Sequence, residues 1–148
     1  MKFIMQFMLV FMAVTGVAAN AAEPVENPAS CKQCGMDRVA FSYSRMLILY
    51  ADGTTVGTCS LNCAAVEMKE NKGKQVKALK VADYYSKKLV DARSAEWVIG
   101  GAKSGVMTEM PKWAFAKKDD AEKFVKENGG RVTTFDEALN LALRENEQ

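Results

Sequence analysis

The sequence contains no histidine among its 148 residues. Histidine is the usual general base near neutral pH and the commonest nitrogen ligand for metal ions in proteins. Its absence excludes hydrolases that rely on a Ser-His-Asp or Cys-His arrangement. A metal ion bound by this chain would have to use sulfur or carboxylate ligands. The sulfur-bearing residues cluster along the sequence, and the carboxylates do not.

Long apolar runs are also missing after the N-terminus. Residues 1–21 combine one positive charge at Lys2, an apolar run over residues 3–14 and small residues that fit an A-x-A cleavage site. This run is too short for a membrane span, and no later segment approaches the roughly 20 apolar residues that a span requires. We therefore expect a signal peptide over residues 1–21 and an exported, periplasmic protein with no stable membrane span. Lipidation is not expected, because Cys31 lies well beyond the cleavage point.

Charge of one sign is not in excess. The chain has 20 Lys and Arg against 18 Asp and Glu, which gives a net charge of +2. Lys2 is the only charged residue in the signal segment, so its removal leaves +1. Neither a nucleic acid nor an anionic membrane is implied as a partner, since both select clustered basic residues. The remaining chain is long enough to bury a core without disulfides.

Turn and cap signals predict an alternation of strands and helices. Residues 22–30 contain two prolines and predict a flexible, extended leader. An Asp-Gly turn predicts a hairpin between residues 45–50 and 55–59. Ser60 is the predicted N-cap of a helix that ends near Asn71, before Gly73. Three further strands are predicted over residues 74–81, 88–92 and 96–100.

A second cycle of elements follows a glycine-rich stretch. Residues 112–116 predict a strand, and Asp119 with Glu122 forms a capping box that would open a helix ending at Gly129. Residues 131–135 predict another strand, and Thr134 opens a last amphipathic helix. The first two helices both end in Lys-Glu-Asn before glycine, which suggests, weakly, that the halves are related.

All four cysteines lie in two short motifs, "CKQC" with Cys31 and Cys34 and "CSLNC" with Cys59 and Cys63. Cys59 follows a strand and Cys63 falls in the first helical turn, so both thiols lie near the helix N-terminus. The helix dipole there should lower the pKa of both. The spacing fits three arrangements: a tetrathiolate zinc knuckle, two structural disulfides, or a site for Cu(I). Spacing alone does not choose between disulfides and metal.

Five methionines remain after the signal segment. Met46 and Met68 fall in an apolar strand and on a helix, which is typical of packing residues. Met36 follows the first cysteine pair and could pack or bind metal. Met107 and Met110 lie in "GVMTEMP", between a glycine and a proline, where a mobile thioether ligand is more reasonable than a core residue. Thioether neighbours and missing histidines favour Cu(I) over Cu(II) and over zinc.

Several motifs in order resemble the NosL family, the nitrous oxide reductase accessory proteins. They are "CKQCGM", "YADGT", "TCSLNCA", "DYYSKKLVDARSAEWVIGG" and "GVMTEMPKWAFAKKDDAEKFVKENGG". The resemblance implies an α+β fold of two small ββαβ-like halves, similar to organomercurial lyase, over a metal-binding domain at residues 31–148. It also implies an exported Cu(I)-binding accessory protein, not an enzyme. Its partner would be a copper-receiving enzyme such as nitrous oxide reductase or a membrane copper transporter.

The resemblance assigns candidate ligands residue by residue. Cys34 and Met36 match the family's CGM element, and Cys31 matches its preceding cysteine. The "CSLNC" motif matches a CS-x-x-C element of the cysteine-rich branch, and Met107 matches a downstream methionine. The candidate metal ligands are Cys31, Cys34, Met36, Cys59, Cys63, Met107 and Met110.

Some features depart from the family pattern, so the sequence does not identify the protein that would receive the metal. Many members are lipoproteins and those assigned to denitrification often have fewer cysteines, and the motifs also resemble TRASH and YHS heavy-metal-binding modules. A rival from another class is a thiol–disulfide oxidoreductase using Cys31 and Cys34. Such an enzyme would place its motif after a strand and at a helix start, whereas this motif follows a proline-containing leader. A third hypothesis, a lyase that acts on carbon–metal bonds, is suggested by fold analogy alone, and a shared fold does not establish chemistry.

Overall fold

The computed structural model describes residues 24–147, so the signal peptide predicted over residues 1–21 lies outside the described residues. The described part contains seven strands and three helices. In chain order they are β1 (Met46–Tyr50), β2 (Thr55–Thr58), α1 (Leu61–Glu70), β3 (Val76–Ala82), β4 (Leu89–Asp91), β5 (Glu96–Ile99), β6 (Lys112–Phe115), α2 (Lys118–Asn128), β7 (Arg131–Thr133) and α3 (Phe135–Glu145).

The first half is built around the predicted hairpin. β1 pairs antiparallel with β2, with Leu47 opposite Gly57, and β3 pairs with the other edge of β1. Gly53 supplies the positive φ of 87° that the tight turn requires. The resulting sheet has the order β2-β1-β3-β4, with α1 connecting β2 to β3.

The second half repeats this connectivity. β5 pairs antiparallel with β6 and with β7, which gives the order β6-β5-β7. In both halves the first strand of a hairpin is central, and the strand that follows the helix pairs with its free edge. The prediction of an α+β fold with two small ββαβ-like halves is therefore confirmed.

Two of the three predicted helix starts are correct. The side chains of Ser60 and Thr134 each accept a hydrogen bond from the backbone N–H three residues later, as N-caps do. The capping box predicted at Asp119 is wrong, because the helix begins earlier and its N-cap, Lys117, forms no side-chain cap. Asp119 lies instead in the first turn, where the helix dipole favours negative charge. Gly129 ends this helix with a φ of 75°, as predicted.

The two halves share one core, and β5 lies between its two parts. Trp97 and Ile99 point from β5 into a cluster with β1, β3, α1 and α3, while Val98 points to the opposite face under α2. Because both faces are covered, β5 is a nearly continuous apolar run instead of an alternating one. The indole N–H of Trp97 is satisfied by the carbonyl of Ala92 at 2.8 Å.

The leader is bound to the fold by two buried arginines. Arg38 and Arg45 are 0% and 1% exposed, and both pair with Glu26, at 2.7 and 2.8 Å respectively. Ser30 also forms a β-bridge with Asp37. Residues 26–30, predicted as part of a flexible leader, are thus anchored. The sequence contains no local sign of these ion pairs, since the partners are separated by 12 and 19 positions.

None of the helices within residues 24–147 is long and apolar enough to cross a membrane.

Glu26 should contribute measurably to stability. Burial alone would raise the pKa of Glu26, but hydrogen bonds and charges from Arg45 and Arg38 bring it below its ordinary value of 4.5. At neutral pH we expect Glu26→Gln to lower the free energy of unfolding by about 2 kcal/mol, because two buried cations lose their partner. The difference between wild type and variant should shrink as pH falls below 4.5 and the wild-type carboxylate becomes protonated. Chemical denaturation at several pH values measures both effects.

The matched control is Glu122→Gln. Glu122 pairs with Lys118 at 3.6 Å in full solvent, with both side chains more than half exposed. Its removal should cost less than about 0.5 kcal/mol. Equal losses in the two variants would contradict an anchoring role for Glu26.

Candidate metal centre

Four cysteine sulfurs converge at one point. Their Sγ atoms all lie within 4.8 Å of one another. The Cys34 and Cys59 sulfurs are 3.5 Å apart, and Cys63 lies 3.7 Å from each of them. Sulfurs bound to one tetrahedral ion at ~2.3 Å are about 3.8 Å apart. The four thiols are all free, and their spacing fits a single metal ion.

The first pair is presented by a turn that precedes β1. The backbone N–H of Cys31 donates to the carbonyl of Met36 at 2.8 Å, and that of Gly35 donates back to Cys31 at 2.9 Å. Gly35 has a φ of 74°, which closes the turn. The N–H of Lys32 donates to Gly57 of β2 at 3.0 Å, so the turn is fixed against the sheet. As expected from the leader, the motif does not open a helix.

The second pair is presented by the junction of β2 and α1. Cys59 directly follows β2 and is 0% exposed, and Cys63 is 5% exposed in the first helical turn. The Ser60 hydroxyl accepts a hydrogen bond from the backbone N–H of Cys63 at 3.4 Å. The N-cap therefore fixes the helix start and the two sulfurs together.

Three of the thiols have shifted pKa values, and the shifts differ in direction. Burial alone would raise the pKa of Cys31, but backbone N–H groups of Cys34, Cys59 and Gln33 that point at its sulfur lower it. Burial raises the pKa of Cys34 to about 11. The hydrogen bond with Cys63, together with burial, raises the pKa of Cys59. The prediction that the helix start lowers the pKa of Cys59 is wrong for the metal-free protein, because the hydrogen bond with Cys63 and burial raise it.

The methionines predicted as ligands occupy three different environments. Met36 is partly buried against the cysteine cluster. Met107 is 50% exposed and lines a groove of about 160 Å³ together with Cys34 and Cys63. The sulfur of Met110 instead lies beside Gly100, 3.5 Å from where a Cβ on that glycine would be. Met110 is 42% exposed.

Two residues at the site were not identified from the sequence. Val106 is 5% exposed and belongs to the same buried cluster as Cys31, Cys59 and Cys63. Asn62 lines the groove beside Cys63. The sequence signal for Val106 was an apolar residue in the loop next to Met107. Asn62 had no such signal, because an asparagine in the first turn of a helix is not typical of a metal site.

These features define an α+β protein in which two loops of one half bring four thiols together, a donor set suited to a soft metal ion. The chain belongs to the NosL family, whose family model matches residues 22–141. The fold is similar to the crystal structure of the copper chaperone NosL from Shewanella denitrificans, with a TM-score of 0.61 and 23% sequence identity. That match covers 80% of this chain and 96% of the other. No curated protein matches the chain.

The acidity order can be checked by thiolate absorbance. In the reduced, metal-free protein we expect Cys31 to ionise below the pH of an ordinary thiol, because its pKa is lowered, and Cys34 to ionise late, near pH 11. Ultraviolet absorbance of the thiolate should report both steps during an anaerobic pH titration. Cys31→Ser should abolish the early step, and Cys34→Ser, its control, should abolish the late one. An early step that persists in Cys31→Ser would contradict this order.

Proposed function

We propose that this protein binds Cu(I) through Cys31, Cys34, Cys59 and Cys63 and passes it to a partner, as an exported accessory protein without catalytic activity. The observation that carries the proposal is the convergence of four free sulfurs within 4.8 Å. Membership of the NosL family and the fold shared with a copper chaperone support it.

The donor set favours Cu(I) over zinc. A closed tetrathiolate site would satisfy Zn(II), which remains the alternative metal. Thioethers are poor ligands for zinc and good ones for Cu(I). Met36 contacts the cluster and Met107 lines the groove next to Cys34, so two methionines lie beside the cysteines. Met110 is retained as a candidate ligand for an intermediate step only, because its sulfur lies beside Gly100.

Unequal burial of the thiols supports transfer by ligand exchange. Cys31, Cys59 and Cys63 are at most 5% exposed, whereas Cys34 is partly exposed and lines the groove. A ligand from a partner can enter along the groove and displace the outermost sulfur first, while the buried sulfurs retain the ion. Met107, at the edge of the groove, can hold the ion between these states.

The proposed client follows from the family. NosL proteins are nitrous oxide reductase accessory proteins, so we propose that the receiving partner is this enzyme, reached directly or through a membrane copper transporter. The predicted signal segment at residues 1–21 supports a periplasmic location.

The geometry gives less support to a thiol–disulfide oxidoreductase. Cys31 and Cys34 lie in a turn whose next helix begins only at Leu61, so the first pair has no helix start of its own. Cys34 is also close to two other thiols, which would divert any disulfide into the cluster.

Anaerobic titration of the reduced protein tests the metal assignment. We expect the protein to retain Cu(I) in competition with a chelator whose dissociation constant for Cu(I) is below micromolar. Cu(I) should also displace Zn(II), because soft thiolate and thioether donors prefer Cu(I). The Cys31→Ser/Cys34→Ser variant should lose retention while staying folded. Met68→Leu, which removes a thioether in the α1–α3 groove, is the control and should retain copper.

Two results would contradict this proposal. One is a Cu(I) affinity of only micromolar or weaker. The other is catalysis of insulin disulfide reduction above background by a wild-type protein that retains no copper, which would establish the oxidoreductase instead.

Transfer to copper-free nitrous oxide reductase tests the client. We expect the loaded protein to restore copper to this enzyme faster than an equal amount of Cu(I) held by a small chelator, because docking brings both sites together. The matched comparison is another periplasmic copper enzyme. Transfer to that enzyme and not to the reductase would keep the copper-binding function and overturn the proposed client.

A further inference from the structure

A buried ion pair lies beneath the loop that carries Met107. Lys112 at the start of β6 and Glu145 at the end of α3 are 2.9 Å apart, and their side chains are 2% and 15% exposed. Burial alone would raise the pKa of Glu145, but hydrogen bonds from Thr108, Lys112 and Asn62 lower it to about 2. The carboxylate therefore stays charged in the folded protein, and its partners hold it from three separate segments.

Four hydrogen bonds hold the loop itself. Thr108 donates from its hydroxyl to Glu145 at 2.6 Å and accepts from Lys112 at 2.6 Å. The N–H of Met110 donates to the same carboxylate at 3.1 Å, and its carbonyl accepts from Lys112 at 2.9 Å. The loop is thus bonded to both members of the ion pair on either side of Glu109.

A third connection reaches the cysteine cluster. Asn62 accepts from Lys112 at 3.2 Å and donates to Glu145 at 2.8 Å. It is the residue immediately before Cys63, and it lines the groove that contains Cys34, Cys63 and Met107. The ion pair therefore bonds both the loop and the helix start that presents Cys63.

The loop backbone is strained at Met107, which lines the groove. Met107 has a φ of 51°, in the left-handed region that residues with a side chain adopt rarely. Val106 on one side is buried in the same cluster as three cysteines, and Thr108 on the other is bonded to Lys112 and Glu145. The contacts on both sides hold Met107 in this conformation, since a strained residue persists only where its surroundings fix it.

We propose that Lys112, Glu145, Asn62 and Thr108 form a latch that holds Met107 at the groove and sets the rate at which metal enters and leaves the cysteine cluster. As a statement about Cu(I) release it rests on the proposed function. The latch residues are positioning residues that act through Met107. Their loss should speed exchange without removing any of the four sulfurs.

The decisive variant is Thr108→Val, which keeps the shape of the side chain and removes the hydroxyl. Loss of hydrogen bonds to charged groups should speed Cu(I) transfer to an excess of chelator by about tenfold. In the metal-free protein, the same variant should speed alkylation of the cluster by iodoacetamide to a similar extent. Thr108→Ser restores the hydroxyl and should behave like wild type in both measurements.

Thr133→Val is the matched control. Thr133 also donates its hydroxyl to a glutamate, Glu137, but lies on β7, in the second sheet. Its rates should equal those of wild type. If Thr108→Val does not fold, Glu145→Gln replaces it, since this change weakens the same bonds and should act in the same direction.

A combined variant shows whether the latch acts through Met107. Met107→Leu alone should speed copper transfer, and Met107→Leu/Thr108→Val should be no faster than the faster single variant. If the rate increases of the two single variants multiply in the double variant, the latch is overturned. Wild-type rates in Thr108→Val would overturn it as well. If the wild-type protein retains no Cu(I), the proposed function fails. The latch then stands only if Thr108→Val speeds alkylation, and an unchanged alkylation rate overturns it as well.

Discussion

The buried guanidinium of Arg38 is the interaction on which the cysteine cluster depends. Its five N–H donors all find acceptors, which include one carboxylate oxygen of Glu26. The other four acceptors are the carbonyls of Glu26, Pro28, Met46 and Thr58. A buried cation is tolerated only when its hydrogen-bond donors all have acceptors in this way. Because Thr58 immediately precedes Cys59 and Arg38 follows Cys34 by four positions, one side chain fixes both cysteine loops. A Cβ on Gly57 would lie 2.4 Å from the guanidinium, so the β2 position beside it has to be glycine.

The two halves use the same connectivity for different purposes. In the first half, a tight Asp52-Gly53 turn joins the hairpin strands, and the strand-to-helix junction presents Cys59 and Cys63. In the second half the corresponding hairpin connection is lengthened to residues 100–111, and this loop reaches back to the cysteines through Val106. Packing of α3 beside α1 and β5 places this loop at the groove. One half therefore supplies the thiols and the other covers them.

Local chemistry made most of the fold predictable. The N-caps at Ser60 and Thr134, the turn at Gly53 and the helix stop at Gly129 are short-range signals that act within a few residues, and each was correct. The start of α2 was wrong because an aspartate in the first turn and an aspartate N-cap produce the same sequence pattern. At the candidate site the sequence identified the cysteines, Met36 and Met107, but not the polar residues bonded to the loop. Lys112 pairs with a residue 33 positions away and contacts another 50 away, and such polar pairs leave no periodic or local trace.

The acidity of the thiols also follows from tertiary structure and explains how four cysteines can share one small site. Four thiolates within 4.8 Å would repel one another strongly in a buried setting. The metal-free protein limits this repulsion by keeping Cys34 and Cys59 protonated, with raised pKa values, while backbone N–H groups stabilise charge on Cys31. A thiophilic cation must therefore displace protons as it binds, so its affinity rises with pH. In the proposed transfer, the same coupling would make protonation of the outer thiol, Cys34, the first step as a ligand from a partner takes its place.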